Sequence, residues 1–136
     1  MKKKLGFTLI ELLAVIIVLG IIIGIMVPVT SKLMEKSKKK AFETGVSGYL
    51  NAAETDSFDR GGLINTYTLT NGNIIHDTTG EKITVSTESK ENGKLEINNK
   101  GEVTGTIYSS DWCALIKLTK PKIEIIKNNN NCPGAI

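Results

Sequence analysis

The chain has 136 residues, a formal net charge of +3 and 40% hydrophobic residues, which suits one small domain plus an apolar anchor. Only 5% of its residues are aromatic, and this argues against a surface that stacks nucleic-acid bases. A single histidine excludes a multi-histidine metal site. We expect neither an enzyme nor a cofactor.

The first predicted element is an apolar helix from Gly6 to Val29, preceded by Lys2, Lys3 and Lys4. With a rise of about 1.5 Å per residue, a helix of roughly 23 residues spans the ~30 Å hydrocarbon core of a bilayer. Glu11 interrupts it about one turn inside, where a carboxylate costs up to ~2.5–3.5 kcal/mol at the membrane centre. In one interpretation, Glu11 simply reaches the headgroups, aided by the positive end of its own helix.

The residues around Glu11 favour a second interpretation. A short basic leader ending in Gly6, followed by Phe7 and an apolar segment with Glu11 near its start, resembles the class III signal of type IV pilins and pseudopilins. The resemblance implies that a prepilin peptidase cuts between Gly6 and Phe7 on the cytoplasmic side and methylates the new amine of Phe7. It also implies that Glu11 pairs with the Phe7 amine of a neighbouring subunit and sets the register of assembly.

Further along the same helix, Pro28 lacks an amide proton and predicts a kink. Gly20 and Gly24 are spaced like a helix-packing face, although glycine is also simply tolerated in membrane helices. The resemblance to type IV pilins implies a stem that loosens between Gly20 and Pro28.

Beyond Pro28 the pattern becomes amphipathic and predicts that the helix continues to about Ser57 before it stops at 59–62. Gly45 and Gly48 should weaken it by ~1 kcal/mol each relative to alanine. The apolar stripe that should hold the C-terminal domain consists of Phe42, Val46, Tyr49, Leu50 and Ala53.

After Gly62, alternating apolar residues and Asn/Gly turns predict a small antiparallel sheet. Strands are expected over 63–70, around residues 83–85 and 95–97, and over 102–108, 112–118 and 123–126. We expect His76, which lies beside Asp77 in a Thr/Gly-rich stretch, to be a surface loop residue. The fold class is α+β: a long N-terminal helix packed on the sheet, with a C-terminal disulfide loop.

Four segments follow from these predictions. They are a leader (1–6), a transmembrane and polymerisation helix (7–30), its amphipathic continuation (31–58) and an extracellular β-rich domain (59–136). In an extracellular protein, the even cysteine count predicts a disulfide between Cys113 and Cys132. Two free thiols or metal ligands are the alternative, and the single histidine and the absence of a close Cys pair disfavour it.

Five lysines between Lys32 and Lys40 complicate the orientation in the membrane. Counted alone, they favour keeping the C-terminal part in the cytoplasm. The processing motif and the cysteines favour a cytoplasmic N-terminus instead. The cluster Lys36 to Lys40 could also attract nucleic acid, but a charged run on a helix is more often a solvated face or a subunit contact.

The expected function is that of a structural subunit of a type IV pilus-like filament, held in the cell membrane and then polymerised outside the cell into a helical homo-oligomer. The resemblance implies a prepilin peptidase and methyltransferase, an assembly ATPase and an inner-membrane platform as partners. It extends to cell adhesion, twitching motility and competence as roles of such filaments. The alternatives are a pseudopilin of a DNA-uptake or type II secretion machine, and a signal-anchored extracellular binding domain that never polymerises.

Overall fold

The structure, a computed structural model, describes residues 6–87, 89–119 and 122–133. The predicted leader lysines, Lys2 to Lys4, lie outside the described residues. The described chain divides into two compact units, one ending at Lys38 and one beginning at Lys39.

The described residues form one helix and seven strands, and the strands form a single antiparallel sheet in the order β3-β2-β1-β4-β5-β6-β7. The long helix confirms the predicted α+β class. The elements are α1 (Leu9–Asp59), β1 (Asn65–Thr70), β2 (Asn73–His76), β3 (Lys82–Ile83), β4 (Asn92–Ile97), β5 (Val103–Tyr108), β6 (Trp112–Ile116) and β7 (Ile123–Lys127).

The second unit is held together by the C-terminal part of α1, which packs on one face of the sheet. All five residues of the predicted stripe are buried, which confirms that part of the sequence analysis. Each fully buried aliphatic side chain contributes roughly 1.5–3 kcal/mol. The sheet supplies Tyr67, Leu69, Ile74, Leu95, Ile97, Val103, Ile107, Trp112, Ala114 and Ile116 to the same core.

Strand β1 shows why one face of the sheet is apolar. Asn65, Tyr67 and Leu69 are buried, whereas the alternate threonines, Thr66 and Thr68, are only half-buried on the opposite face. Successive side chains of a strand point to opposite faces, so a period of two separates the core from the surface. The register of β1 is fixed by its neighbours, with Tyr67 opposite His76 in β2 and opposite Leu95 in β4.

Local signals end α1 and join the first two strands. The Gly61 N–H donates to the Phe58 carbonyl at 3.0 Å and the Gly62 N–H to the Ser57 carbonyl at 3.2 Å, which is the Schellman pattern with Gly61 at φ +84°. Asn71 and Gly72 both have positive φ, as a two-residue hairpin turn of type I′ requires. Both the helix stop and the hairpin turn were predicted from the sequence.

Candidate functional site

The site predicted from the sequence begins at the first turn of α1, which Thr8 and Glu11 close with two reciprocal hydrogen bonds. The Thr8 N–H donates to Glu11 Oε2 at 2.9 Å, and the Glu11 N–H donates to Thr8 Oγ1 at 3.3 Å. This is a capping box, in which the N-cap threonine and the glutamate at the third helical position each satisfy a backbone donor of the other. The sequence analysis missed this motif, although Thr8-Leu9-Ile10-Glu11 before an apolar run is its signature.

The capping box fixes where the Glu11 charge lies. Its carboxylate is held over the N-terminal end of α1, where the helix dipole favours a negative charge. One hydrogen bond leaves several acceptor positions on an ionised carboxylate. The carboxylate of Glu11 is therefore oriented by its own chain and can still accept hydrogen bonds from a second donor such as an amine.

Gly6 and Phe7 lie before α1 in a segment without regular secondary structure. The Phe7 side chain is 87% exposed. Apart from the chain neighbours of Gly6, no described residue has an atom within 4 Å of the position that a Gly6 Cβ would occupy. Cleavage and methylation at the peptide bond between Gly6 and Phe7 stay predictions.

The apolar part of α1 is the only described helix long and apolar enough to cross a membrane by length and composition. Its large apolar side chains from Leu9 to Met34 are exposed. The helix runs through Gly20, Gly24 and Pro28. Apart from adjacent residues and the nearby backbone of the helix itself, no described residue has an atom within 4 Å of a Cβ built on either glycine. The loosening of this segment stays a prediction.

Two hydroxyl groups beyond Pro28 are satisfied within the helix. Thr30 Oγ1 donates to the carbonyls of Met26 at 2.9 Å and Val27 at 3.0 Å, and Ser31 Oγ donates to Val27 at 3.1 Å. Polar groups in an apolar environment cost free energy unless they are hydrogen-bonded. The stem therefore presents no unpaired hydroxyl at these two positions.

The predicted disulfide between Cys113 and Cys132 is present, with a Cα–Cα distance of 5.8 Å. Cys113 lies in β6 and is fully buried, and Cys132 is 6% exposed. The bond ties the segment that follows β7 back to β6, and it excludes the alternative of free thiols or metal ligands for these two residues.

The prediction for His76 was wrong. His76 ends strand β2, is only 3% exposed and stacks edge-on against Tyr67 at a centroid distance of 5.3 Å. The Thr79 N–H donates to its Nδ1 at 3.2 Å, and its Nε2 lies within hydrogen-bond distance of Asn65 Oδ1, at 2.9 Å. Asn65 in turn donates to Ser57 Oγ at 3.1 Å.

The sequence analysis missed strand β2, which follows the Asn71-Gly72 turn. Alternate side chains of this strand point to the core, so Ile74 and His76 are buried together.

A second set of polar contacts joins the end of α1 to β1 and to the turn before β3. Arg60 Nε donates to Asp56 Oδ2 at 2.7 Å, the Tyr67 hydroxyl donates to the same oxygen at 2.9 Å, and Arg60 also pairs with Glu81. Burial raises the pKa of the Asp56 carboxyl, but the hydrogen bonds from Arg60 and Tyr67 outweigh burial and lower it below its ordinary value. The Arg60 hydrogen bond likewise lowers the pKa of Glu81.

Within residues 6–87, 89–119 and 122–133, no group of three His, Cys, Asp or Glu side chains is placed to hold a metal ion. The predicted site residues fall into three places. Gly6, Phe7 and Glu11 lie together around the start of α1, Gly20, Gly24 and Pro28 lie further along the same helix, and the two cysteines lie in the sheet unit.

Residues 1–27 match the family described as the prokaryotic N-terminal methylation motif. No curated protein and no solved structure matches the chain. The match covers the basic leader, Gly6, Phe7 and the capping box of Glu11, and it ends one residue before Pro28. The chain thus carries at its N-terminus the class III signal peptide of type IV pilins, which supports a pilin-like or pseudopilin protein.

Proposed function

We propose that this protein is a structural subunit of a type IV pilus-like extracellular filament, anchored in the membrane by the first part of α1 and polymerised through it. The observation that carries the proposal is the methylation motif at residues 1–27, joined directly to a helix whose apolar segment is covered by no described residue. The role is structural rather than catalytic, and it requires no cofactor.

The exposed apolar segment must be shielded from water, first by lipid and then by other subunits. Exposed side chains such as Leu9, Ile16 and Ile23 range from 58% to 86% exposure. Soluble monomers rarely expose contiguous apolar patches of more than a few hundred Å². Lipid covers the segment while the subunit is stored, and equivalent helices of other subunits cover it in the filament.

The charge of Glu11 gives this packing a register. Cleavage after Gly6 leaves the Thr8 N–H intact, so the capping box survives processing and keeps the carboxylate at the helix end. In a bundle of such helices, the free amine of Phe7 from one subunit is the donor that Glu11 of its neighbour can accept. Removing one partner of a buried ion pair costs ~3–5 kcal/mol, so helices docked out of step are disfavoured.

The proposal extends to partners and location. A prepilin peptidase that also methylates would act on Gly6 and Phe7, and an assembly ATPase with an inner-membrane platform would extract the subunit from the membrane. Before assembly the N-terminus is cytoplasmic and the sheet unit is outside. After assembly the sheet unit forms the filament surface.

Substitutions at Glu11 test the proposal, because Glu11→Gln separates the role of the negative charge from the role of the side chain as a helix cap. Glu11→Ala removes both, whereas Glu11→Gln keeps the acceptor of a capping box and removes only the charge. We expect both variants to be processed normally, by intact mass, and both to lose filaments in sheared cell-surface material, seen by electron microscopy.

Thr8→Ala is the matched control, because it loses one capping hydrogen bond and keeps the Glu11 charge. We expect it to retain filaments at reduced yield. Normal filaments from the Glu11→Gln variant would show that the carboxylate serves the helix end alone and would overturn the pairing.

A further inference from the structure

The charges at the two ends of the apolar segment of α1 mark a membrane boundary on each side. Glu11 and Lys32 are the first charged residues that flank an uncharged stretch of 20 residues, 12–31. In a helix they lie about 31 Å apart along the axis, close to the ~30 Å thickness of a hydrocarbon core. If Glu11 lies at one boundary of the hydrocarbon core, Lys32 therefore lies at the opposite boundary.

Three stem lysines follow at this second boundary. Lys32, Lys36 and Lys38 are exposed and make no hydrogen bond or ion pair with any residue in the described parts of the chain. The next two lysines are engaged in the sheet unit. Lys39 lies over the Trp112 ring at 5.7 Å, and Lys40 pairs with Glu43 at 3.2 Å.

Lys32 and Lys36 lie within the depth of a headgroup layer, and Lys38 lies just beyond it. The polar layer adds roughly 5–7 Å on each side of the hydrocarbon core. Lys36 lies about 6 Å and Lys38 about 9 Å beyond Lys32 along the helix axis. Flexible lysine stems let the ammonium groups reach sideways into such a layer while their methylene groups cover apolar surface.

We propose that Lys32, Lys36 and Lys38 bind anionic phospholipid headgroups at the membrane boundary next to the sheet unit. Phosphate is the complementary charge within reach of these ammonium groups, and the effect of each lysine near an anionic surface corresponds to about a fivefold change in binding. This lipid contact holds the stored subunit at a fixed depth. It requires only that α1 spans a membrane and does not depend on filament formation.

The test uses the full chain in two kinds of vesicle, one of phosphatidylcholine alone and one with about 30% phosphatidylglycerol. A membrane-impermeant amine-acylating reagent modifies exposed lysines, and mass spectrometry resolves each site. Labelling of Lys100, in the exposed turn between β4 and β5, identifies vesicles in which the sheet unit faces outward. Site resolution also separates the stem lysines from the leader lysines at the opposite end of the segment.

We expect acylation of Lys32 and Lys36 to slow about fivefold in the anionic vesicles and to recover in about 1 M salt, while Lys100 is unchanged. Equal acylation rates in the two vesicles would overturn the proposal. Protection that already occurs in phosphatidylcholine and rises with the protein-to-lipid ratio would also overturn it, because the cover would then be an acidic surface of a second copy.

A charge-matched pair of variants gives a second readout. Native mass spectrometry counts phosphatidylglycerol molecules that stay on the chain when it is released from mixed micelles. K32Q/K36Q/K38Q should retain fewer of them than the unaltered chain, and K82Q/K94Q/K100Q, with three exposed lysines of the sheet unit removed, should retain as many. Equal retention by the stem variant and the unaltered chain contradicts the lipid assignment.

Discussion

Glu11 lies at the third position of α1, where its carboxylate accepts the Thr8 N–H at 2.9 Å. A carboxylate inside an apolar segment is costly, and here the first turn of the helix offsets part of that cost with its dipole and one backbone donor. The same geometry leaves the carboxylate at the end of the segment that cleavage after Gly6 would expose. The Glu11 side chain can therefore cap the helix and also take the proposed role in assembly.

Gly45 and Gly48 are a second example of residues whose meaning depends on their neighbours. Both reduce helix propensity, yet a Cβ on Gly45 would lie 2.6 Å from Ser89 Oγ and 3.2 Å from Glu91 Oε1. A Cβ on Gly48 would meet Thr87 at 3.5 Å and Val85 at 4.0 Å, both ordinary contact distances. The segment between β3 and β4 thus leaves no room for a Cβ at Gly45 but accommodates one at Gly48.

We expect Gly45→Ala to lower the free energy of unfolding by ~1–3 kcal/mol, because the added methyl group overlaps Ser89. Gly48→Ala is the matched control and should raise it by up to ~1 kcal/mol through helix propensity. The measurement is denaturant unfolding of the full chain in detergent, followed by the fluorescence of Trp112, the single tryptophan. Two variants with equal stability would show that the segment moves away from the helix at no cost.

The Asp56 contacts predict how stability depends on pH. The pKa of Asp56 is lowered in the folded chain from an ordinary value of 3.8, so the folded state binds its proton less readily than the unfolded state does. This contribution is fully present above pH 3.8 and is lost as the pH falls through the folded pKa. We expect the free energy of unfolding to decline below about pH 4.

Asp56→Asn should remove part of that decline and lower stability at neutral pH by ~1.5–3 kcal/mol, since charged hydrogen bonds to Arg60 and Tyr67 are lost. Unfolding midpoints between about pH 2 and 7 measure both effects. The prediction fails if the variant and the unaltered chain lose stability in parallel as the pH falls. Asp59→Asn, at an exposed position nearby, is the control.

At the scale of elements, the disulfide constrains the end of the sheet. Cys113 pairs across the ladder with Tyr108 and Ile126, so the bond to Cys132 fixes the chain after β7 against the middle of three strands. The loop it closes has a sequence separation of 19 residues. A closed loop of this size restricts the unfolded chain more than the folded one.

Cys113→Ser/Cys132→Ser should therefore lower the free energy of unfolding by ~3 kcal/mol. The thermal unfolding midpoint of the full chain, read from Trp112 fluorescence, measures the effect. Reduction of the unaltered chain should produce a shift of similar size. A midpoint unchanged by both treatments would mean that the strands alone fix this segment.

At the scale of the whole molecule, processing changes mass and charge together. Removal of the leader with Lys2, Lys3 and Lys4 takes the formal net charge from +3 to zero, which permits close lateral packing. We expect the chain in sheared surface material to begin at Phe7, one methyl group heavier and two hydrogens lighter than the reduced chain. A mass that still includes Met1 to Gly6 would refute processing and, with it, the filament.

Much of this protein follows from the sequence alone because the responsible signals are local. The apolar segment with its basic leader, the stripe from Phe42 to Ala53, the stop at Gly61 and the hairpin turn at Asn71-Gly72 each depend on a few neighbouring residues. Hydrophobic periodicity and turn-forming residues act over a few neighbouring positions. The structure confirms the apolar stripe, the helix stop and the hairpin turn. The disulfide followed from the cysteine count.

Other features were decided only by the tertiary structure, because they join residues distant in sequence. The burial of His76 needs Tyr67 and Asn65 from another strand, and the closeness of Gly45 to Ser89 depends on where the segment between β3 and β4 crosses α1. No local pattern encodes such a juxtaposition. The sequence by itself determined the long helix, every strand except β2, and the N-terminal motif. Packing decided which polar residues became part of the core.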